Sequence, residues 1–147
     1  MNEPLVVSSI QECEACGVVH RDIKDENILV NPVTLETKLI DLGSAVYSLE
    51  DNSIPFDGTG VYAPPELLLY GWYNSSACTA WSLGILLYNM LVGDIPFHTF
   101  SEICYLQVKF PRGLEDLHLK ELILGCLQRD PEKRLASKDL LSHPWCL

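Results

Sequence analysis

The most continuous hydrophobic pattern in the chain lies at about residues 78–92, where apolar side chains would face nearly every direction of a helix. An all-round apolar pattern predicts a helix buried in the core rather than one at the surface. Roughly residues 115–128 instead carry apolar positions at helical spacing on one side only. These positions are Leu117, Leu119, Leu122, Ile123, Cys126 and Leu127.

Three further helices are predicted from shorter patterns. Leu5, Val6, Ile10 and Cys13 have helical spacing over residues 5–16, and Gly17 supplies a stop signal. A helix near Ser101 would be capped by that side chain. The last would begin at Ser137 and end before Pro144.

Strand signals are few and short. The apolar runs at residues 28–30 and 37–40 are separated by Asn31-Pro32, which predicts a small hairpin. Residues 44–64 show no strong period and several turn formers. With no repeats, linkers or low-complexity tracts, the pattern predicts one mainly α domain with a small β-hairpin.

Composition and charge narrow the class of protein. The 147 residues are 48% hydrophobic, which suits a globular domain, and the net charge is −10. This charge argues against nucleic acid and anionic membrane surfaces as partners and favours basic ones. The most apolar run, residues 85–92, is too short to span a bilayer, so we expect no membrane insertion.

Cysteine usage and the start of the chain bear on its location. Cys13 and Cys16 form a C-x2-C pair, but no second pair completes a zinc site. Reduced thiols of an intracellular protein are the favoured interpretation. Met1 to Pro4 lack the features of a signal peptide. We therefore expect a cytoplasmic monomer, with the nucleus as a second location.

The strongest chemical signal is the string from His20 to Asn27, followed downstream by Asp41-Leu42-Gly43. It matches the H-R-D-x-x-x-x-N catalytic loop and the D-x-G metal site of protein kinases. Asp22 is placed to accept a proton from an attacking hydroxyl, while Asn27 and Asp41 offer the oxygen ligands that Mg²⁺ prefers. A lone Asp-x4-Asn is common by chance, but this longer combination is specific.

Four later signatures follow in the order found in kinases, so the resemblance covers essentially the whole chain. They are Gly58-to-Glu66 with its P-P-E ending, Trp81-Ser82-Leu83-Gly84, Asp130-to-Arg134, and His143-Pro144-Trp145. The chain thus resembles the C-terminal lobe of the α+β kinase fold. The resemblance divides residues 1–147 into a catalytic loop at 20–27, an activation segment at 41–66 and a helical subdomain at 67–147.

Several details resemble the PIM family of Ser/Thr kinases. Lys24, two residues after Asp22, is the residue that Ser/Thr kinases have at this position of the catalytic loop. The string Gly93-Asp94-Ile95-Pro96-Phe97 also resembles the PIM family. Thr79 stands where most kinases have an aspartate two residues before the helix tryptophan, and PIM kinases depart from the rule there too. Asn89 replaces an acid of the PIM pattern, which would weaken one contact to a substrate arginine. Leu42 replaces the usual Phe of D-F-G, a change we expect to be tolerated.

The resemblance implies a role for each matching residue. Catalysis is assigned to Asp22, Lys24 and Thr59, with Thr59 bracing the other two. Contacts to ATP and Mg²⁺ are assigned to Lys24, Glu26, Asn27, Leu29, Ile40 and Asp41, of which Asn27 and Asp41 bind the metal. Binding of Arg-rich substrates is assigned to Asp25, Glu26, Asp57 and Asp94, although Asp25 and Asp57 are equally well explained as solvated surface charges. Structural roles fall to His20, Arg21, Gly43, Glu66, Trp81 and Arg134.

Arg21 precedes the catalytic aspartate, where many kinases bind an activation-loop phosphate. This chain supplies Glu50, Asp51 and Asp57 in the activation segment. We hypothesise that one of these carboxylates stands in for the phosphate and gives activity without phosphorylation.

The Gly-rich loop, the V-A-I-K lysine and its partner glutamate are not found in the sequence. The resemblance places them in an N-terminal lobe, so the isolated chain is expected to be weak or inactive as a Ser/Thr kinase. The alternative is a non-catalytic decoy that binds kinase substrates or regulators. In that case, the apolar surface near Leu29, Leu39 and Ile40 would be exposed as a partner site.

Overall fold

The computed structural model describes residues 3–47 and 55–147. Its α-helices are α1 (Glu3–Ala15), α2 (Pro65–Tyr70), α3 (Ser75–Val92), α4 (Phe100–Tyr105) and α5 (Leu117–Cys126). The strands are β1 (Val18–Val19), β2 (Ile28–Val30), β3 (Thr37–Leu39) and β4 (Val46–Tyr47). Short 3-10 segments cover 25–27, 60–62, 137–142 and 144–146. The mainly α architecture with little strand is as the sequence predicted.

Helix α3 forms the centre of the core. Trp81 and Ile85 have no exposed surface, and burial continues around the helix from Cys78 to Tyr88. The side chain of Asn74 caps the first turn by accepting from the amide of Ala77 at 3.1 Å. The prediction of a buried helix is therefore confirmed, with its start three residues earlier than expected.

The length of α3 corrects one expectation about membranes. This helix has 18 residues and a mean hydropathy of 1.3, so it is long and apolar enough to cross a bilayer, unlike the shorter run recognised in the sequence. However, 67% of the helix is buried inside the fold, and core helices of soluble proteins pass the same test. Length and composition are therefore weak evidence for a membrane span.

Gly84 lets α3 and α5 approach closely. A Cβ atom built at Gly84 would lie 2.7 Å from Cβ of Cys126 and 2.8 Å from Cδ2 of Leu127. Both neighbours are buried at the end of α5, so neither has free space into which to move. The absence of a side chain at Gly84 therefore sets the distance between the two helices.

Gly84→Ala is expected to lower the free energy of unfolding by about 1–3 kcal/mol, because overpacking a well-filled core forces neighbouring groups apart. Urea denaturation followed by circular dichroism measures the change. Gly60→Ala is the matched control, because a Cβ at Gly60 meets nothing within 4 Å. Equal stability of Gly84→Ala and Gly60→Ala would contradict the prediction.

Two small antiparallel sheets flank the helices. Strands β2 and β3 pair with Ile28 opposite Leu39 and Val30 opposite Thr37, which confirms the predicted hairpin. The second sheet pairs Val19 of β1 with Val46 of β4 and was not predicted. Strands of two residues are too short to leave a periodic pattern in the sequence.

Two expectations about the shorter helices need correction. Thr99, not Ser101, caps α4, since its hydroxyl accepts from the amide of Glu102 at 3.2 Å. The last helix has the predicted bounds, Ser137–Ser142, but it is a 3-10 helix. The hydroxyl of Ser137 donates to Oε2 of Glu14 in α1 at 2.6 Å and so links the two ends of the chain.

All six cysteines are free thiols. Cys126 has no exposed surface, and burial raises the pKa of its thiol to about 12. Within residues 3–47 and 55–147, no group of three His, Cys, Asp or Glu side chains is arranged to hold a metal ion.

Candidate active site

The carboxylate of Asp22 is the centre of a compact hydrogen-bond network. Its Oδ1 accepts from the Thr59 hydroxyl at 2.8 Å and from the Thr59 amide at 3.2 Å. Its Oδ2 lies 3.1 Å from Nδ2 of Asn27 and 3.3 Å from Nζ of Lys24. Lys24 also donates to the Thr59 hydroxyl at 2.9 Å, which closes the ring. Three residues assigned to catalysis from the sequence are thus brought together by the fold.

These contacts determine the charge of Asp22. Burial raises its pKa, but the hydrogen bonds from Thr59, Lys24 and Asn27, together with the Lys24 charge, outweigh burial. The net effect is a pKa below the ordinary value for aspartate. Asp22 is therefore deprotonated at neutral pH, which is the form that can accept a proton.

His20 connects the catalytic loop to the β2–β3 hairpin. Its Nδ1 accepts from the amide of Asp22 at 3.2 Å, so Nε2 carries the proton that it donates to the carbonyl of Ile40 at 2.9 Å. The amide of Ile40 in turn donates to the carbonyl of Asn27 at 2.9 Å. The hairpin register therefore brings Asn27 and the residue before Asp41 to the same end of the sheet.

The oxygen atoms of Asn27 and Asp41 suit a hard cation. Both hydrogen bonds of the Asn27 amide nitrogen go to Asp22, which fixes the side chain and leaves its oxygen as an acceptor. Asp41 adopts a left-handed backbone conformation with φ of 60°, and its Oδ1 accepts from the amide of Gly43 at 3.1 Å. A Cβ at Gly43 would lie 3.0 Å from that oxygen. One amide oxygen and one carboxylate are a donor set that fits Mg²⁺.

Several apolar side chains on and next to the β2–β3 hairpin are partly exposed. Leu29 is 55% exposed and Leu42 is 60% exposed, while Ile40 is half-buried and Leu39 packs against the core. Leu29 and Ile40 are among the residues assigned from the sequence to contacts with ATP, and both are at least partly exposed.

The four candidate substrate-binding acids have different local partners. Asp25 and Glu26 are exposed in the catalytic loop, and Oδ1 of Asp25 accepts from the hydroxyl of Tyr62 at 3.4 Å. Asp57 lies in the activation segment, where its carbonyl accepts from the Ser44 hydroxyl at 2.7 Å. Asp94 lies beyond α3 and pairs with His98 at 3.2 Å. In the part of the chain that the structure describes, no hydrogen bond or ion pair joins the loop acids to Asp57 or Asp94.

Arg21 is held by neutral oxygens. Its Nε donates to the Ser44 carbonyl at 2.5 Å, and its Nη1 donates to the Pro55 carbonyl at 3.0 Å and to the Tyr73 hydroxyl at 2.9 Å. Asp57 does not pair with it, so the expected role of Asp57 as a phosphate substitute is not seen. Glu50 and Asp51 lie outside the residues that the structure describes.

Glu66 and Arg134 form a buried, bidentate ion pair outside the Asp22 network. Nη1 and Nη2 of Arg134 lie 2.7 and 2.8 Å from the two carboxylate oxygens of Glu66. Arg134 also donates to the carbonyls of Ala77 and Gln128, and its guanidinium lies 5.1 Å from the centre of the Trp81 ring. The pair therefore ties the end of the activation segment to α3 and the C-terminal part of the chain.

Sequence reasoning missed Tyr73 and Ser44, which complete the surroundings of Arg21. Neither belongs to a recognisable motif. The spacing of Tyr73 from the catalytic loop carries no information about contact, because the two are 52 positions apart. Only the fold brings the hydroxyl to the guanidinium.

Comparison with known proteins identifies the class. The family model for the protein kinase domain matches residues 5–146, so this chain belongs to the protein kinase family. It is 42% identical to serine/threonine-protein kinase pim-2 of Danio rerio over 97% of the chain and 46% of that protein. Identity is 39% to serine/threonine-protein kinase prk-2 of Caenorhabditis elegans, over 95% of the chain and 32% of that protein. The chain thus spans less than half the length of these relatives, and it matches part of a kinase domain.

Proposed function

We propose that this chain carries the base-and-metal half of a Ser/Thr protein kinase site that transfers phosphate from ATP to protein hydroxyls. The observation that carries the proposal is the ring formed by Asp22, Lys24 and Thr59, with Asn27 bonded to the same carboxylate. Relatives named as serine/threonine-protein kinases support the same class. In this proposal, the chain corresponds to the C-terminal lobe.

Each residue then has a specific task. Asp22 accepts the proton of the substrate hydroxyl, and Thr59 holds the carboxylate in the orientation that this requires. Lys24, within 3.3 Å of Asp22, meets the transferring phosphate group. Mg²⁺ bound by Asn27 and Asp41 would neutralise charge on the nucleotide phosphates. Leu29 and Ile40 contact the adenine.

The preferred substrates in this proposal contain arginine near the reacting hydroxyl. Asp25 and Glu26 are exposed beside Asp22, and carboxylates pair well with guanidinium groups. The net charge of −10 favours basic partners as well. Asp57 in the activation segment and Asp94 beyond α3 are further candidates. A cytoplasmic monomer remains our expectation for the setting of this activity.

A second candidate function is a non-catalytic binding protein. It is favoured by the exposed apolar side chains on and around the β2–β3 hairpin. These are Leu29, Val30, Val33, Leu35 and Leu42. An uncovered apolar surface of this kind marks a partner site or an aggregation hazard.

A chimera separates the two functions. The chimera joins this chain to the part of the Danio rerio relative that precedes the region matched by this chain, which the kinase resemblance assigns to the N-terminal lobe. We expect it to phosphorylate an Arg-rich peptide with Mg-ATP, whereas the isolated chain gives little or no transfer because it lacks a phosphate loop. Radiolabelled phosphate incorporation measures both, and a peptide with alanine in place of arginine tests the substrate class. A folded chimera that binds Mg-ATP but transfers nothing would favour the binding protein.

A further inference from the structure

Tyr73 lies between α2 and α3 and contacts two parts of the site. Its side chain is buried, at 7% exposure, and its hydroxyl accepts from Nη1 of Arg21 at 2.9 Å. Its ring meets the ring of Phe56 edge to face, with centroids 5.7 Å apart and planes at 83°. One side chain therefore touches both the catalytic loop and the activation segment.

The Arg21 guanidinium binds both arms of the activation segment. It donates to the carbonyl of Ser44, near the start of the activation segment, and to the carbonyl of Pro55, in its second half. Arg21 is itself buried, so each lost acceptor leaves donors of a charged group without compensation. Among the described residues, Tyr73 is the one side chain in this set of acceptors.

Close packing around Gly58 connects the contacts of Arg21 and Tyr73 to Thr59. A Cβ at Gly58 would lie 2.7 Å from the Arg21 carbonyl oxygen and 2.4 Å from the Phe56 ring. Gly58 is therefore confined between the catalytic loop and the ring that rests on Tyr73. Thr59 follows directly and donates both its amide and its hydroxyl to Asp22.

Helix α3 does not supply an alternative anchor at the Thr79 position. The hydroxyl of Thr79 donates to the carbonyl of Ser75 at 2.9 Å, within its own helix. No hydrogen bond joins Thr79 to the catalytic loop in the described parts of the chain. Thr79 therefore does not bond Arg21, whereas Tyr73 contacts it directly.

We propose that Tyr73 is a positioning residue that holds residues 55–59 against the catalytic loop, so that Thr59 can orient Asp22. Among the described residues, Arg21 donates to Tyr73 and to two backbone carbonyls in this arrangement. The catalytic meaning of this role rests on the proposed function, since it acts through Asp22. If Tyr73 instead only fills space in the core, its ring matters and its hydroxyl does not.

The test is Tyr73→Phe, which keeps the ring and removes the hydroxyl. The amide of Thr59 is the reporter because it donates to Asp22, and NMR-detected hydrogen exchange measures it in the intact chain without nucleotide. We expect exchange at Thr59 to accelerate about tenfold or more, because a buried hydrogen bond to a charged group is lost. Amides in the centre of α3 should keep their wild-type rates.

Tyr88→Phe is the matched control. Tyr88 is 8% exposed, and its hydroxyl donates to the carbonyl of Lys109 at 2.5 Å, away from Asp22. It should leave Thr59 exchange within about twofold of wild type. If Tyr73→Phe does not fold, Phe56→Leu provides the second test, because it removes the ring edge and should also accelerate Thr59 exchange.

Unchanged Thr59 exchange in folded Tyr73→Phe would overturn the proposal, as would equal acceleration in Tyr88→Phe. Exchange is measured without ATP or peptide, so its outcome does not depend on phosphate transfer. An inactive chimera with accelerated Thr59 exchange would reject the proposed function and leave the positioning role standing. An active chimera with unchanged Thr59 exchange in Tyr73→Phe would support the proposed function and reject the positioning role.

Discussion

Asp22→Asn is expected to lower the rate of phosphate transfer by the chimera about 10²–10⁴-fold, the usual range for loss of a general base. Asparagine has nearly the same shape, so the bonds to Thr59 and Asn27 can be partly retained. What it lacks is the negative charge that accepts a proton and pairs with Lys24 at 3.3 Å. The loss should therefore appear in kcat, measured with saturating peptide and Mg-ATP, and little in the affinity for ATP.

Two aspartates serve as controls for this substitution. Asp130→Asn removes the charge of an exposed ion pair with Lys133 and should leave transfer unchanged. Asp25→Asn alters an exposed acid next to the site and should raise KM for the Arg-rich peptide without lowering kcat. Transfer that persists in Asp22→Asn at the wild-type rate would show that another group takes the proton.

Arg134→Leu is expected to lower the free energy of unfolding by about 3–5 kcal/mol, because it leaves the buried Glu66 carboxylate without its partner. The Arg134 side chain is completely buried and that of Glu66 is 2% exposed, so water cannot replace the lost bonds. Contact with the Trp81 ring is lost as well. Domains of this size are stable by only about 5–15 kcal/mol, so the variant should be largely unfolded at modest urea concentrations.

The neighbouring Lys133 provides the control for Arg134. Lys133→Leu breaks an ion pair whose side chains are 75% and 45% exposed, and it should change stability by at most about 0.5 kcal/mol. The double variant Arg134→Leu with Glu66→Leu should be more stable than Arg134→Leu alone, because no uncompensated charge remains buried. If the double variant is less stable than both Arg134→Leu and Glu66→Leu, burial of an unpaired charge is not the cause of the lost stability in Arg134→Leu.

Some of the fold was readable from the sequence because the relevant signal is local. Apolar residues on all sides predicted the buried helix α3. Two apolar runs on either side of Asn31-Pro32 predicted the β2–β3 hairpin. Short elements were harder to predict. The sheet of β1 and β4 depends on residues far apart in sequence, and the choice of Thr99 over Ser101 as a cap depends on the path of the preceding loop.

The candidate site shows the same division. Asp22 and Asn27 stand in one short motif and Asp41 in a second, so all three could be proposed as site residues without coordinates. Arg21 was recognised by position, but Asp57, one of the three acids considered as its partner, does not pair with it, and Glu50 and Asp51 lie outside the described residues. Its described acceptors are two carbonyls and a tyrosine hydroxyl, and backbone carbonyls leave no trace in a sequence.

The sequence by itself determined the family, the order of its motifs and which residues are candidates for the site. Only the tertiary structure decided how those groups are connected. It placed Thr59 on Asp22 across 37 positions, Arg134 on Glu66 across 68, and Tyr73 on Arg21 across 52. The physical reason is that residue type sets which bonds a side chain can form, whereas packing of the whole core sets which partners lie within about 3 Å of one another.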